Sequence, residues 1–310
     1  MKLSKNVVSV LLVFALAFSF ALAETETQAK LDPSLYTVEN FTIEVKEANG
    51  IPTHTIVGVL TLPANITEPV PCVIMLHGTG SNLDEAGGGY AIAAPEMAAK
   101  GIATARFNFI GCDAGSEELY KYYSYTNANL DTEAVVGFLQ EHGNINDKKL
   151  GIMGWSQGGT NALLAARAYP DIFKSVVTWA GSMHIGDAGL FPESSFEEAY
   201  NTAKEKGSYV MEFTWREPLP LGKQWFADVE STDLQVAVSE IKAPILAING
   251  LNDTVVLPSE AEEIVTSSSH AATKTHLVEG ADHTFNVFSG DLSALYNIID
   301  ATISFFNKTL

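Results

Sequence analysis

Ser156 stands at the centre of Gly154-Trp155-Ser156-Gln157-Gly158, and its surroundings supply the residue types that nucleophilic catalysis needs. A serine hydroxyl attacks a carbonyl only when a base takes its proton and an acid holds that base in one tautomer. Asp253 offers the acid, one short turn beyond the apolar run Ala247-Ile248. His283 offers the base, one short turn beyond Thr275-His276-Leu277-Val278. The chain order Ser, Asp, His suits a nucleophile carried on a strand–turn–helix. Such a set performs acyl transfer and requires no metal or organic cofactor.

Attack on a carbonyl creates an oxyanion, which needs N–H donors already in place. The backbone N–H of Gln157, at the start of a helix, is one candidate. The second is the N–H of Thr79 in His77-Gly78-Thr79-Gly80, where Gly78 lets the backbone bend inward. His77 ends a strand and reads as a loop-fixing residue. Among the other histidines, His276 lies inside a strand, His54 in an early hairpin, and His142 and His270 in polar turns. His184 could line the site, but the sequence shows no acid placed to orient it. Asp282 adjoins His283, and neighbouring turn residues seldom point the same way. Asp253 is therefore the favoured acid.

These side chains need a scaffold. Residues 150–153 are apolar, 154–158 hold the glycines of a tight turn, and an alanine-rich helix follows. Residues 36–45 and 53–62 alternate apolar and polar around the turn 48–50, as an antiparallel pair does. Residues 72–76, 103–110, 150–153, 175–180, 243–248 and 275–278 read as further strands. Helical spacing marks 91–99, 130–140 and 292–306. Strands alternating with helices predict an α/β fold with a mainly parallel, doubly wound sheet and its site beyond the strands' carboxyl ends. Residues 182–242 break this rhythm after the sixth strand. Rich in aromatics, they read as a cap over the site. The aromatics either bind an aromatic substrate or form the insertion's own small core.

Lys2 and Lys5, the apolar run 7–20 and Ala21-Leu22-Ala23 have the form of a secretory signal peptide, leaving 24–310 as the catalytic domain. Its removal takes two lysines and no acid, shifting the net charge from −19 to about −21. That charge argues against nucleic acid and, once the signal is cleaved, against membrane surfaces as partners. Cys72 opens one strand and Cys112 follows another, too far apart in parallel strands to bridge, so both read as free thiols. Asn40, Asn65, Asn252 and Asn307 begin Asn-x-Thr sequons, and a glycan on Asn252 would obstruct Asp253.

His77-Gly78, Gly154-Trp155-Ser156-Gln157-Gly158-Gly159, the Gly250–Asp253 turn and Gly280-Ala281-Asp282-His283-Thr284-Phe285 together resemble the α/β-hydrolase superfamily. They look most like bacterial cinnamoyl and feruloyl esterases, related to the serine dienelactone-hydrolase and acyl-peptidase branches. Thr79 and Ile110-Gly111-Cys112-Asp113 differ from the usual pattern of those esterases. The resemblance implies the α/β-hydrolase fold and a small-molecule or plant-cell-wall-type ester substrate, including feruloyl-type esters. The expectation is a secreted serine esterase. The alternatives are a serine peptidase of the acyl-peptidase or dipeptidyl-peptidase type, or a hydrolase fold used only for binding.

Overall fold

Alternation along the central strands decides the architecture. The computed structural model describes residues 31–310 except 49, 188 and 192, so the 1–23 leader and Asn49 of the 48–50 turn lie outside the described residues. Asp32–Leu310 form one compact unit. Strand β3 (Val70–Leu76) sends Cys72, Ile74 and Leu76 to one face and Val73 and Met75 to the other. Strands β5 (Ile145–Trp155), β6 (Phe173–Trp179) and β9 (Ile245–Gly250) divide their side chains in the same way. Both faces are apolar, so both must be covered. Helices α1 (Gly89–Ala98) and α8 (Ser293–Thr309) cover one. The other is covered by α2 (Tyr125–Glu141), α3 (Gln157–Ala168) and α7 (Pro258–Ser267).

The sheet has eight strands. With β1 (Tyr36–Val45), β2 (His54–Pro63), β4 (Ala103–Phe107) and β10 (Lys274–Val278), its order is β1-β2-β4-β3-β5-β6-β9-β10. β2 pairs antiparallel with β1 and β4, and every other pairing is parallel. This is the α/β-hydrolase architecture that the sequence implied. β4 stops at Phe107, short of the predicted 103–110: Asn108 N–H still donates to Val57 O of β2, but the groups after it bond elsewhere. Phe109 N–H donates to His77 Nε2 and Ile110 N–H to Asp131. α2 begins earlier than predicted, its first turn capped by Ser124, whose hydroxyl accepts from Asn127 N–H. α7 was not predicted.

A buried polar pair reinforces the antiparallel end. His54 Nε2 lies 2.8 Å from Asp131 Oδ1, tying β2 to α2. The long interval 182–242 runs from β6 to β9. It contains α4 (Phe196–Lys206), the hairpin β7 (Ser208–Met211) and β8 (Leu219–Gly222), α5 (Lys223–Ser231) and α6 (Leu234–Ser239). Cys72 and Cys112 are both free and buried, and burial pushes both thiols well above their ordinary range. Neither should react with an aromatic disulfide reagent at pH 8 in the native protein, and both should react in denaturant. Absorbance of the released thiolate checks this; prompt native reaction would contradict the packing of β3 and the 108–113 loop.

Candidate active site

Glycine shapes the turn that carries Ser156. β5 ends at Trp155 and α3 begins at Gln157, so Ser156 alone makes the reversal, at φ 55° and ψ −126°. An L-residue rarely adopts that conformation, and holding one there costs about 1–3 kcal/mol. A Cβ on Gly154 would lie 1.9 Å from Gly158 O, and one on Gly158 would lie 2.1 Å from Leu76 O. Only hydrogen fits at either position. Ser156 N–H donates to Trp179 O at 2.8 Å, pinning the turn to β6, while the amino end of α3 presents its positive pole beside the hydroxyl.

Two other strand ends bring His283 and Asp253 to this turn. The loops after β9 and β10 lock together: Asn252 N–H donates to Ala281 O at 2.9 Å, and Leu251 N–H to Val278 O at 2.9 Å. A Cβ on Gly250 would lie 2.2 Å from Ala281 O. Asp253 is buried; its Oδ1 accepts from the N–H groups of Val255 and Val256, and its Oδ2 lies 2.8 Å from His283 Nδ1. His283 Nε2 is 3.2 Å from Ser156 Oγ. With Nδ1–H donating to the carboxylate, Nε2 is left as the acceptor of the serine proton. Asp282 has a different task. Its Oδ1 accepts from Thr284 N–H, Thr284 O–H and Asn286 N–H, capping the turn just after the imidazole. The Trp155 indole N–H donates to the His283 carbonyl at 3.1 Å, so the residue before the serine also holds the histidine's backbone.

The turn 77–81 completes the site. A Cβ on Gly78 would lie 3.1 Å from Ser156 Cβ, so this turn runs against the serine. The N–H and C=O groups of Gly78 and Gly80, on either side of Thr79, are spent. Gly78 N–H donates to Glu85 at 2.6 Å, and Gly78 O accepts from Ser81 N–H. Gly80 N–H donates to the Tyr120 hydroxyl at 3.2 Å, and Gly80 O accepts from Arg216 Nη1 at 2.6 Å. The Thr79 N–H makes no hydrogen bond to any described residue, and neither does that of Gln157. Their side chains meet, the Thr79 hydroxyl donating to Gln157 Oε1 at 2.5 Å. His77 is buried with both ring nitrogens engaged, by Gly78 O and Phe109 N–H. Burial, aided by the Arg216 charge and opposed by the Gly78 carbonyl, pushes it down to about 4, so the ring is neutral.

Sequence reasoning missed Glu85, Tyr120 and Arg216, which stand on other elements and carry no local signature. It also denied His184 an orienting acid; Glu263 of α7 lies 2.7 Å from its Nε2. That partner is brought by folding from a helix that was not predicted. The insertion's aromatics mostly pack on one another. Phe191, Phe196, Tyr200, Tyr209, Trp225 and Phe226 form a cluster with ring centroids 5.1–6.3 Å apart. Phe213 instead abuts Gly80, where a Cβ would lie 2.5 Å from its ring. Hollows of about 420 and 210 Å³ flank α6–α7 and the segment 183–186, and neither is lined by Ser156, Asp253 or His283. Chemistry rather than volume marks the site.

Comparison with known proteins agrees with this fold. Solved structures that resemble the chain include Est1E from Butyrivibrio proteoclasticus, determined also with ferulic acid bound. Without ferulic acid its TM-score is 0.66 at 18% identity, covering 86% of this chain and 98% of Est1E. The esterase domain of a Rhodothermus marinus protein gives 0.62 at 19%, covering 86% and 97%. A puromycin-hydrolyzing peptidase of Mycobacterium tuberculosis gives 0.62 at 19%, covering 87% of this chain and 39% of the peptidase. No curated protein matches the sequence significantly. The model of the prolyl oligopeptidase family (Peptidase_S9) matches residues 93–310, most of the chain and all three of Ser156, Asp253 and His283. The chain therefore belongs to the prolyl oligopeptidase family of hydrolases, within the α/β-hydrolase superfamily.

Proposed function

We propose that this protein hydrolyses carboxylic esters through an acyl-enzyme on Ser156. The observation that carries the reading is the continuous chain from Asp253 through His283 to Ser156, beside two unspent N–H groups. His283 takes the serine proton as Oγ attacks the ester carbonyl, and Asp253 holds the imidazolium that forms. Thr79 and Gln157 N–H groups receive the oxyanion. His283 then protonates the departing alkoxide, and water repeats the sequence on the acyl-enzyme. Feruloyl-type esters are the favoured substrates, by analogy with Est1E. The apolar leader and its Ala21-Leu22-Ala23 ending support export of the mature chain from Glu24.

The family match favours a second reading, a serine peptidase. An amine nitrogen leaves less readily than an ester oxygen, so matched ester and aminoacyl-arylamide substrates separate the two. Turnover of the arylamide alone would establish the peptidase. A binding protein without activity would fail to label with a fluorophosphonate, whereas the esterase should label at Ser156. Ser156→Ala should lower kcat on short aryl esters by about 10⁴-fold or more with folding retained. Near-normal turnover in that variant would sink the assignment.

Trp155 tests positioning apart from chemistry. Trp155→Phe removes one hydrogen bond to the His283 backbone, worth about 1 kcal/mol of stability. A looser imidazole should lower kcat about tenfold while KM stays within about twofold. Unchanged kcat would mean that the Asp282 cap suffices to hold His283.

The turn 77–81 also carries a pH dependence. Burial, opposed by hydrogen bonds from Gly78, Ser81 and Ala86, raises Glu85 to about 7. Its folded value exceeds its unfolded one, so its contribution is complete below the unfolded value near 4.5 and declines as pH rises through about 7. Glu85→Gln keeps the neutral form at every pH. Relative to wild type the variant should match at pH 4.5 and gain up to about 3 kcal/mol at pH 8, measured by denaturant unfolding. Equal stability at both pH values would rule out a buried, reluctant carboxylate.

A further inference from the structure

The chain has three arginines among 37 acidic residues. Arg106 is paired with Asp84 and Arg167 with Glu240. Arg216 pairs with no carboxylate among the described residues. It sits in the insertion, donates Nη1–H to Gly80 O, and keeps a buried Nε–H with no hydrogen-bond partner. Its charge acts inward on His77, Cys112 and Tyr120, around the turn beside Ser156. Glu117 feels it too, but is exposed and accepts from Gly115 N–H. In so acidic a protein, leaving one half-buried guanidinium uncompensated here is costly unless something else neutralises it.

Its neighbours suggest what that is. Phe213 abuts Gly80, and the Trp215 ring stands 5.0 Å from Phe213 with 69% of Trp215 exposed. The segment 213–216 thus presents an exposed indole one residue from a cation, the cation bonded to the turn that carries Thr79 and the indole reaching it through Phe213. A guanidinium with free N–H groups matches the two oxygens of a carboxylate, and an exposed indole matches a flat apolar body.

Resting on the esterase reading above, we propose that Arg216 and Trp215 form a specificity subsite for substrates whose non-reacting part carries a carboxylate. The site thereby selects anionic esters over neutral ones of the same shape. The test uses two isosteric pairs. 4-Nitrophenyl hydrogen glutarate against 4-nitrophenyl 4-carbamoylbutanoate places the charge on the acyl side. 3-Carboxyphenyl acetate against 3-carbamoylphenyl acetate places it on the alcohol side.

In wild type the anionic member of one pair should have a kcat/KM at least about tenfold higher, with the advantage shrinking as salt is raised. Arg216→Gln, which keeps a donor for Gly80 O, should abolish that ratio, and Arg216→Lys should retain part of it. A merely structural role would slow both members equally and leave the ratio unchanged in Arg216→Gln, which overturns the proposal. So would the absence of any anionic preference in wild type. Should neither pair turn over and Ser156 resist a fluorophosphonate, the esterase reading fails by itself. Binding of benzoate against benzamide, followed by tryptophan fluorescence, then decides the subsite. Tighter benzoate binding that disappears in Arg216→Gln supports it, and equal binding overturns it.

Discussion

An L-serine held at a left-handed φ between a strand and a helix is unstable by itself, and the neighbouring contacts exist to keep it there. Gly154 and Gly158 let the first turn of α3 close onto β5 and β3, where a single methyl group would overlap a backbone carbonyl. The Ser156 N–H bond to β6 fixes the third side. Strain of this kind persists only where surrounding structure over-determines it. Here the over-determination comes from β3, β5 and β6, three adjacent strands at the middle of the sheet. Because the turn cannot relax, the Cα–Cβ bond of Ser156 has one direction, and the other groups can be built toward it.

They are built from opposite sides by different means. On one side, the loops after β9 and β10 interlock through backbone hydrogen bonds, and Asp253 fills both its oxygens before and while holding His283. On the other, the turn 77–81 is gripped at its two ends by groups of opposite character. A carboxyl group takes the Gly78 N–H and a guanidinium takes the Gly80 carbonyl. With those two peptides oriented, the Thr79 N–H between them stays unspent. A donor held in place without a partner is what stabilisation of developing negative charge requires.

The insertion contributes along the same line. Most of its aromatic residues stack against one another around Phe226, so its composition reflects its own core more than the binding of a ring. Its reach toward the site narrows to Phe213, Trp215 and Arg216. Phe213 and Arg216 touch the turn rather than the serine, with Trp215 against Phe213, which links the shape of the insertion to the geometry of the turn that carries Thr79.

Short-range pattern was enough to read the two-faced strands, the glycine-bounded serine and the succession of acid and base past later strands, because each depends on residues close in sequence. The α/β-hydrolase architecture follows from them. Strand 103–110 was read too long because its last residues satisfy their N–H groups with His77 and Asp131, partners that no local window contains. Glu263 beside His184, and Arg216 bonded to the turn 77–81, were hidden for the same reason, while Glu85 is only seven residues from Gly78 and carries no pattern that marks it as reaching back. The sequence by itself determined which residue types could do the chemistry and roughly where each element begins. Only the tertiary structure decided that 127 positions of separation become 3.2 Å between an imidazole and a hydroxyl, since that closeness is a product of sheet order and loop packing.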